Sequence, residues 1–207
     1  MHNTTHTPQT VLEAVPQTVL EAEPGSRADE WHQHPLGGGW IFHTARVART
    51  AFVAPNAVVA GKAEVLDSAQ VLDHARIGGE ACVRGNARVA GKAVVAGTAE
   101  VRDNAVIAGS ARVAGNAEVR DHAEVRDHAL VEGVAVKIGG NARIAGKASV
   151  ADRARVDGRA EVFGRARVVG GAKVLDRARV GDRAWVGNEA EVFGHARVFG
   201  AAVITDY

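Results

Sequence analysis

The stretch Ala81-Cys82-Val83-Arg84-Gly85-Asn86-Ala87-Arg88-Val89-Ala90-Gly91-Lys92-Ala93-Val94-Val95-Ala96-Gly97-Thr98 states one six-residue unit three times. Alanine opens each unit, valine stands two places later, and glycine two places after that. Working outward, the alanine recurs every six residues from Ala45 to Ala135, sixteen times, and from Ala142 to Ala202, eleven times. Asp67 and Asp73 show that aspartate shares the glycine position.

Each position has a physical reason. Residues two apart point to the same side of an extended segment, so alanine and valine share an interior. Valine is stiff at χ1 and suits a strand. Glycine and aspartate tolerate the φ > 0 geometry of a tight turn. A period of six scatters the alanines around a helix, and a turn residue in every unit rules out long strands. Short strands that turn every six residues coil. Three units close one coil of 18 residues, and the 27 units make about nine triangular coils. At the usual interstrand spacing the stack is roughly 40 Å long. The fold class expected is therefore all-β: a single-stranded parallel β-helix, or β-solenoid. Val89, Ile107 and Val125, spaced by 18, should form one buried column. The period slips once, because Ala135 and Ala142 are seven apart. An extra residue between Ala135 and Ile138 reads as a bulge or swollen corner, with a ligand notch as the alternative.

Three regions are expected: a flexible tail over 1–34, a cap over 35–44 that uses Trp40, Ile41 and Phe42, and the solenoid over 45–207. The tail carries one heptad twice, Pro8-Gln9-Thr10-Val11-Leu12-Glu13-Ala14 and Pro16-Gln17-Thr18-Val19-Leu20-Glu21-Ala22. It reads either as a local duplication in a disordered arm or as a tandem docking motif for a protein partner.

Composition narrows the function classes. Aromatics are 4% of the chain, net charge is +1 and Cys82 is the single cysteine. This leaves no disulfide framework and no cysteine-rich zinc site. No apolar run is long enough to span a membrane, and no secretory leader is visible at Met1–His6. Cytoplasmic location is the expectation.

Read from the valine, units such as Val83-Arg84-Gly85-Asn86-Ala87-Arg88 and Val113-Ala114-Gly115-Asn116-Ala117-Glu118 resemble the hexapeptide repeat of the left-handed parallel β-helix superfamily. The opening Gly38-Gly39-Trp40-Ile41 is similar to that of bacterial and phage solenoids labelled acyltransferases without assigned activity. The resemblance implies left-handedness, and it makes two chemistries worth weighing. One is acyl transfer from an acyl-CoA by a histidine beside a long loop at a trimer interface. The other is zinc held by three interface histidines. Within the repeat the histidines are His74, His122, His128 and His195. His122 and His128 are one unit apart and fall on different corners, while His74 and His128 are three coils apart, roughly 14 Å. Neither pair can share a zinc within one chain. His122 beside Asp121, and His128 beside Asp127, are the least unsuitable general bases, but no long loop accompanies them. No cofactor or metal is expected.

Two basic ladders stand out. Lys147, Arg165 and Arg183 are spaced by 18, as are Arg159, Arg177 and His195. They suit an anionic or acidic partner, whereas nucleic acid is not expected without interleaved aromatics. Trp185, Phe193, Phe199, Ile204 and Tyr207 mark the C-terminal coil as an association surface. The expected form is an end-to-end two-fold dimer, with a side-by-side trimer as the alternative. The leading expectation is a non-enzymatic scaffold that self-associates or docks partners through its faces and tail. A hexapeptide-type acyltransferase and a polymer-forming, cytoskeletal-type solenoid are the alternatives.

Overall fold

The computed structural model describes residues 15–206. Its strands are mostly two residues long, from β1 (Trp31–Gln33), β2 (Trp40–Phe42), β3 (Arg46–Val47), β4 (Phe52–Val53) and β5 (Val58–Val59) onward to β29 (Val203–Thr205). From β2 on they are dealt in turn to three sheets. Sheet A holds 11 strands and starts β1-β2-β5, while sheets B and C hold nine each and start at β3 and β4. Successive strands within a sheet pair in parallel 18 residues apart, as Val71↔Val89↔Ile107↔Val125. This is the expected β-solenoid of about nine coils.

The interior follows from the unit. Val89, Ile107, Val125 and Val162 are fully buried, and so are Ala87, Ala105 and Ala160. Valine supplies the flat of each sheet and alanine the narrow corner. No buried side-chain nitrogen or oxygen among the described residues lacks a hydrogen-bond partner.

The corners show why aspartate alternates with glycine. Asp67, Asp73, Asp127, Asp152, Asp176 and Asp182 all have φ between 55° and 63°. Each carboxylate accepts the backbone N–H of the glycine at the equivalent corner of the next coil, as from Gly85 to Asp67 at 2.9 Å and from Gly146 to Asp127 at 2.8 Å. A turn aspartate therefore stitches its coil to the following one, and it always reaches in the same direction along the prism.

The slip in the period lies earlier than expected. Gly133 stays in register with Gly115, while Lys137 pairs with Glu118, 19 residues away. The added residue is Val134, which is 69% exposed at the corner between sheets A and B. Val136 then drops into the interior slot that alanine fills elsewhere, and is fully buried. Its apolar side chain makes that exchange possible and pushes Ala135 out to the turn.

The N-terminal end is closed differently from the expected cap. Trp40–Phe42 is not a lid but the first strand of the parallel stack in sheet A, with Ile41 pointing inward at 1% exposure. The boundary expected at residue 34 falls inside a hairpin, because β1 pairs antiparallel with β2 and covers the sheet edge. Between them the chain crosses the open coil: Gly39 N–H donates to Val53 C=O at 2.9 Å and Val53 N–H to Leu36 C=O at 3.2 Å. A Cβ on Gly37 or Gly39 would lie 2.3 Å from Val53, so only glycine passes. The second heptad also packs on the prism. Its short helix, Gln17–Leu20, buries Val19 in one cluster with Trp31, Trp40, Phe42, Val58 and Ala60. The first heptad, Pro8–Ala14, lies outside the described residues.

Candidate binding surface

Outward positions give the three faces different characters. Sheet B is charged and internally neutralised. Arg84 donates to Glu100 at 2.8 Å, Arg102 contacts Glu118 and Asp103, and Arg120 and Arg155 converge on Asp157. Burial pushes the Asp157 carboxyl up. Hydrogen bonds from Arg155 and the Gly158 N–H, with the charges of Arg155 and Arg120, outweigh that and hold it below the usual carboxylate range. Cys82 lies half-buried on this face as a free thiol. Burial, then Glu100 and Glu64, push its pKa up, away from a reactive thiolate.

The histidine pairs do not converge. His122 stands on the corner between sheets B and C and His128 on the corner between C and A, both exposed. The neighbouring carboxylates are engaged elsewhere, Asp121 with the Gly140 N–H and Arg120, and Asp127 with the Gly146 N–H. A general base oriented by an aspartate is therefore not assembled at either histidine.

The two basic ladders fall on the two corners that flank one face. Arg159, Arg177 and His195 line the corner entering sheet C, and Lys147, Arg165 and Arg183 the corner leaving it; all six are exposed. Among the described residues none of the five Lys and Arg side chains makes an ion pair, unlike the cations of sheet B. Asp176 and Asp182, beside the ladders, turn their carboxylates to the Gly194 and Gly200 amides.

Between the ladders lies a group that the linear spacing did not reveal. Phe163 and Phe199 project from sheet C two coils apart, yet their ring centroids are 5.8 Å apart. They meet because the residue between them is Gly181, where a Cβ would sit 2.5 Å from the Phe163 ring. The Arg179 guanidinium lies over both rings, at 5.3 and 6.0 Å, and its Nε donates to Glu161 at 2.7 Å. Arg159, Glu161, Arg177 and Arg179 bound a shallow depression of about 430 Å³. Arg143 and Arg197 continue the face above and below. The signal available in the sequence was the 36-residue interval from Phe163 to Phe199, visible only once outward positions are counted by coil.

The expected association residues are dispersed. Trp185 lies on sheet A, Phe193 leaves sheet B and Phe199 leaves sheet C, at 44%, 61% and 37% exposure. Ile204 ends an interior column, and Tyr207 lies outside the described residues. The described members thus stand on three different faces of the last coils.

The fold and this surface define a parallel β-solenoid with an aromatic, cation-lined lateral face. No protein-family model matches the chain, and no curated protein or solved structure matches it either. No helix among the described residues is long and apolar enough to cross a membrane.

Proposed function

We propose that the chain is a rigid binding scaffold that engages an anionic polymer or strongly acidic partner through sheet C of its C-terminal half. One observation carries this reading: two columns of unpaired cations flank a strip where Arg179 is laid across Phe163 and Phe199. Coils stack ~4.8 Å apart, so Lys147, Arg165 and Arg183 offer three positive charges at that interval, and Arg159 and Arg177 two. Arginine forks suit phosphate, sulfate and carboxylate groups, and the rings give a flat surface for a sugar or base to lie on. The six-residue unit supports placing the chain among the hexapeptide-repeat solenoids, as a member adapted to binding.

Heparin, as a soluble polyanion, is the probe. The full chain should bind it with an affinity that falls steeply as salt rises. Arg159→Glu with Arg177→Glu should weaken binding about tenfold or more and flatten the salt dependence, while Lys62→Glu, on another corner, leaves it unchanged. Equal binding by the double variant and the parent would end the proposal.

A further inference from the structure

The ladder of Lys147, Arg165 and Arg183 continues beyond the C-terminal half. One coil at a time toward the N-terminus, the same corner carries His128, Ser110, Lys92 and His74. All are exposed, and each side chain can donate a hydrogen bond. The backbone fixes their spacing, because the N–H of each corner residue donates to the turn carbonyl of the next coil. His74 donates to Gly91 at 2.9 Å, Lys92 to Gly109 at 2.6 Å, His128 to Gly146 at 2.8 Å and Arg165 to Asp182 at 2.6 Å. Donors therefore stand in one line from His74 to Arg183, over six coil steps or ~29 Å.

The borders of this line carry no carboxylate. On the sheet C side the outward neighbours include Leu72, Ala90, Ala108 and Ala145, and on the sheet A side Arg76, Val94, Arg112 and Arg167. No acidic residue takes either bordering place from His74 to Arg183. Acidic residues occur only in the turn itself, as Asp73, Asp127 and Asp182. All three carboxylates accept an amide of the next coil, from Gly91, Gly146 and Gly200. Among the described residues Lys92, Arg167 and the three cations of the ladder make no ion pair, while Arg112 lies 3.9 Å from Glu132 and Arg126 3.0 Å from Glu124. The other two corners differ. The one between sheets A and B includes Glu80 and Glu189, which pair with Lys62 and Arg153. The one between sheets B and C is flanked by Glu124, Asp157 and Glu161.

We infer that the corner between sheets C and A is a continuous track for a linear acidic polysaccharide, lying along the prism from Arg183 to His74. This rests on the binding function proposed above and names its ligand and its extent. Straightness and step argue for this class. A sugar ring in an extended glycan is about as long as one coil is deep, ~4.8 Å, so its sulfates or carboxylates keep pace with the donors. A strand of duplex DNA winds once about its axis in ~34 Å and leaves a straight line of cations after a few phosphates. An acidic peptide in a strand repeats its same-side carboxylates every ~6.8 Å, out of step with the coils. A single nucleic-acid strand stacks successive bases on aromatic rings, and along these borders only Phe163 and Trp185 supply a phenyl or indole ring.

Heparin fragments of fixed length test this by titration calorimetry on the full chain. A dodecasaccharide covers the whole track and a tetrasaccharide only part of it, so the longer fragment should bind at least about tenfold more tightly. Lys92→Glu lies three coils from Lys147. It should weaken the dodecasaccharide about tenfold and leave the tetrasaccharide, held by the ladder, unchanged. Glutamate is accepted at the equivalent place on another corner, as at Glu80, so the variant keeps the fold. Lys62→Glu, the same charge change on that other corner, should leave both fragments unchanged. A dodecasaccharide indifferent to Lys92→Glu overturns the track and leaves the sheet-C site in place. Oligothymidylate or polyglutamate of equal charge that binds as tightly, and loses as much in Lys92→Glu, overturns the choice of a glycan. Failure of both heparin fragments to bind overturns the track and the proposed function together.

Discussion

Val125 occupies an interior slot that only an apolar side chain fits without cost. It has no exposure and is stacked between Ile107 and Ile144. Replacing it with aspartate puts a carboxylate among valine and alanine with nothing to accept from. The expected loss is several kcal/mol. Because each coil rests only on its neighbours, urea unfolding should split into two steps on either side of that coil. A single transition at the parent midpoint would refute the inward register. Asp157 makes a quieter prediction. Its folded pKa is depressed, so its stabilisation is present above the ordinary carboxylate pKa and is lost as pH falls through the lower folded value. Asp157→Asn should therefore lower the melting temperature at neutral pH, and the difference should shrink as pH falls below the ordinary carboxylate range, as followed by circular dichroism. The interior was legible residue by residue from the alanine period. Where the period slips it was legible only in part. The count places the added residue between Ala135 and Ile138, whereas it is Val134; both Ala135 and Val136 are apolar, and spacing alone does not say that Val136 turns inward.

At the scale of the element, strands of two residues are too short to choose their own partners, so the corners set the register. The turn aspartates do this by binding the next coil. The outward positions are free to vary, which is where the sequence becomes hard to read. Arg179, Phe163 and Phe199 form one stack although they are spread over 37 residues of chain. The residue that permits it, Gly181, resembles any other glycine of the repeat. It is not a turn glycine, since its place is on the flat of sheet C, and what it supplies is room. Gly181→Leu should drive the rings apart, free Arg179, and cost about 1–2 kcal/mol. Affinity for heparin should fall along with the near-ultraviolet dichroism of the rings. An unchanged near-ultraviolet spectrum would show that the rings do not meet over this glycine. The heptad seat was hidden for a related reason: Val19 meets Val58 and Ala60 only because the hairpin of β1 and β2 folds the arm back over sheet A.

For the whole molecule, about nine coils stack in one continuous register, and the two ends differ in what they carry. The arm sits on the first coils of sheet A, and the cation-lined face occupies the last coils of sheet C. No residue between them needs to touch both. Their separation is nonetheless defined, because every intervening column keeps its register and every turn aspartate points the same way. The solenoid can thus be viewed as a graduated spacer, with the coil as its division of ~4.8 Å. Cutting out residues 93–110, one whole coil, joins Lys92 to Ala111 and leaves Gly85 under Asp121 and Arg84 opposite Glu118. The shortened chain should fold cooperatively with nearly the parent's melting temperature, and small-angle scattering should show it one division shorter. Removing six residues instead moves every later side chain to the next face, so the cations of sheet C would point a third of a revolution away from where they began. Length can thus be changed without changing direction, or direction with little change in length, a separation of variables that a flexible tether between two binding sites does not offer.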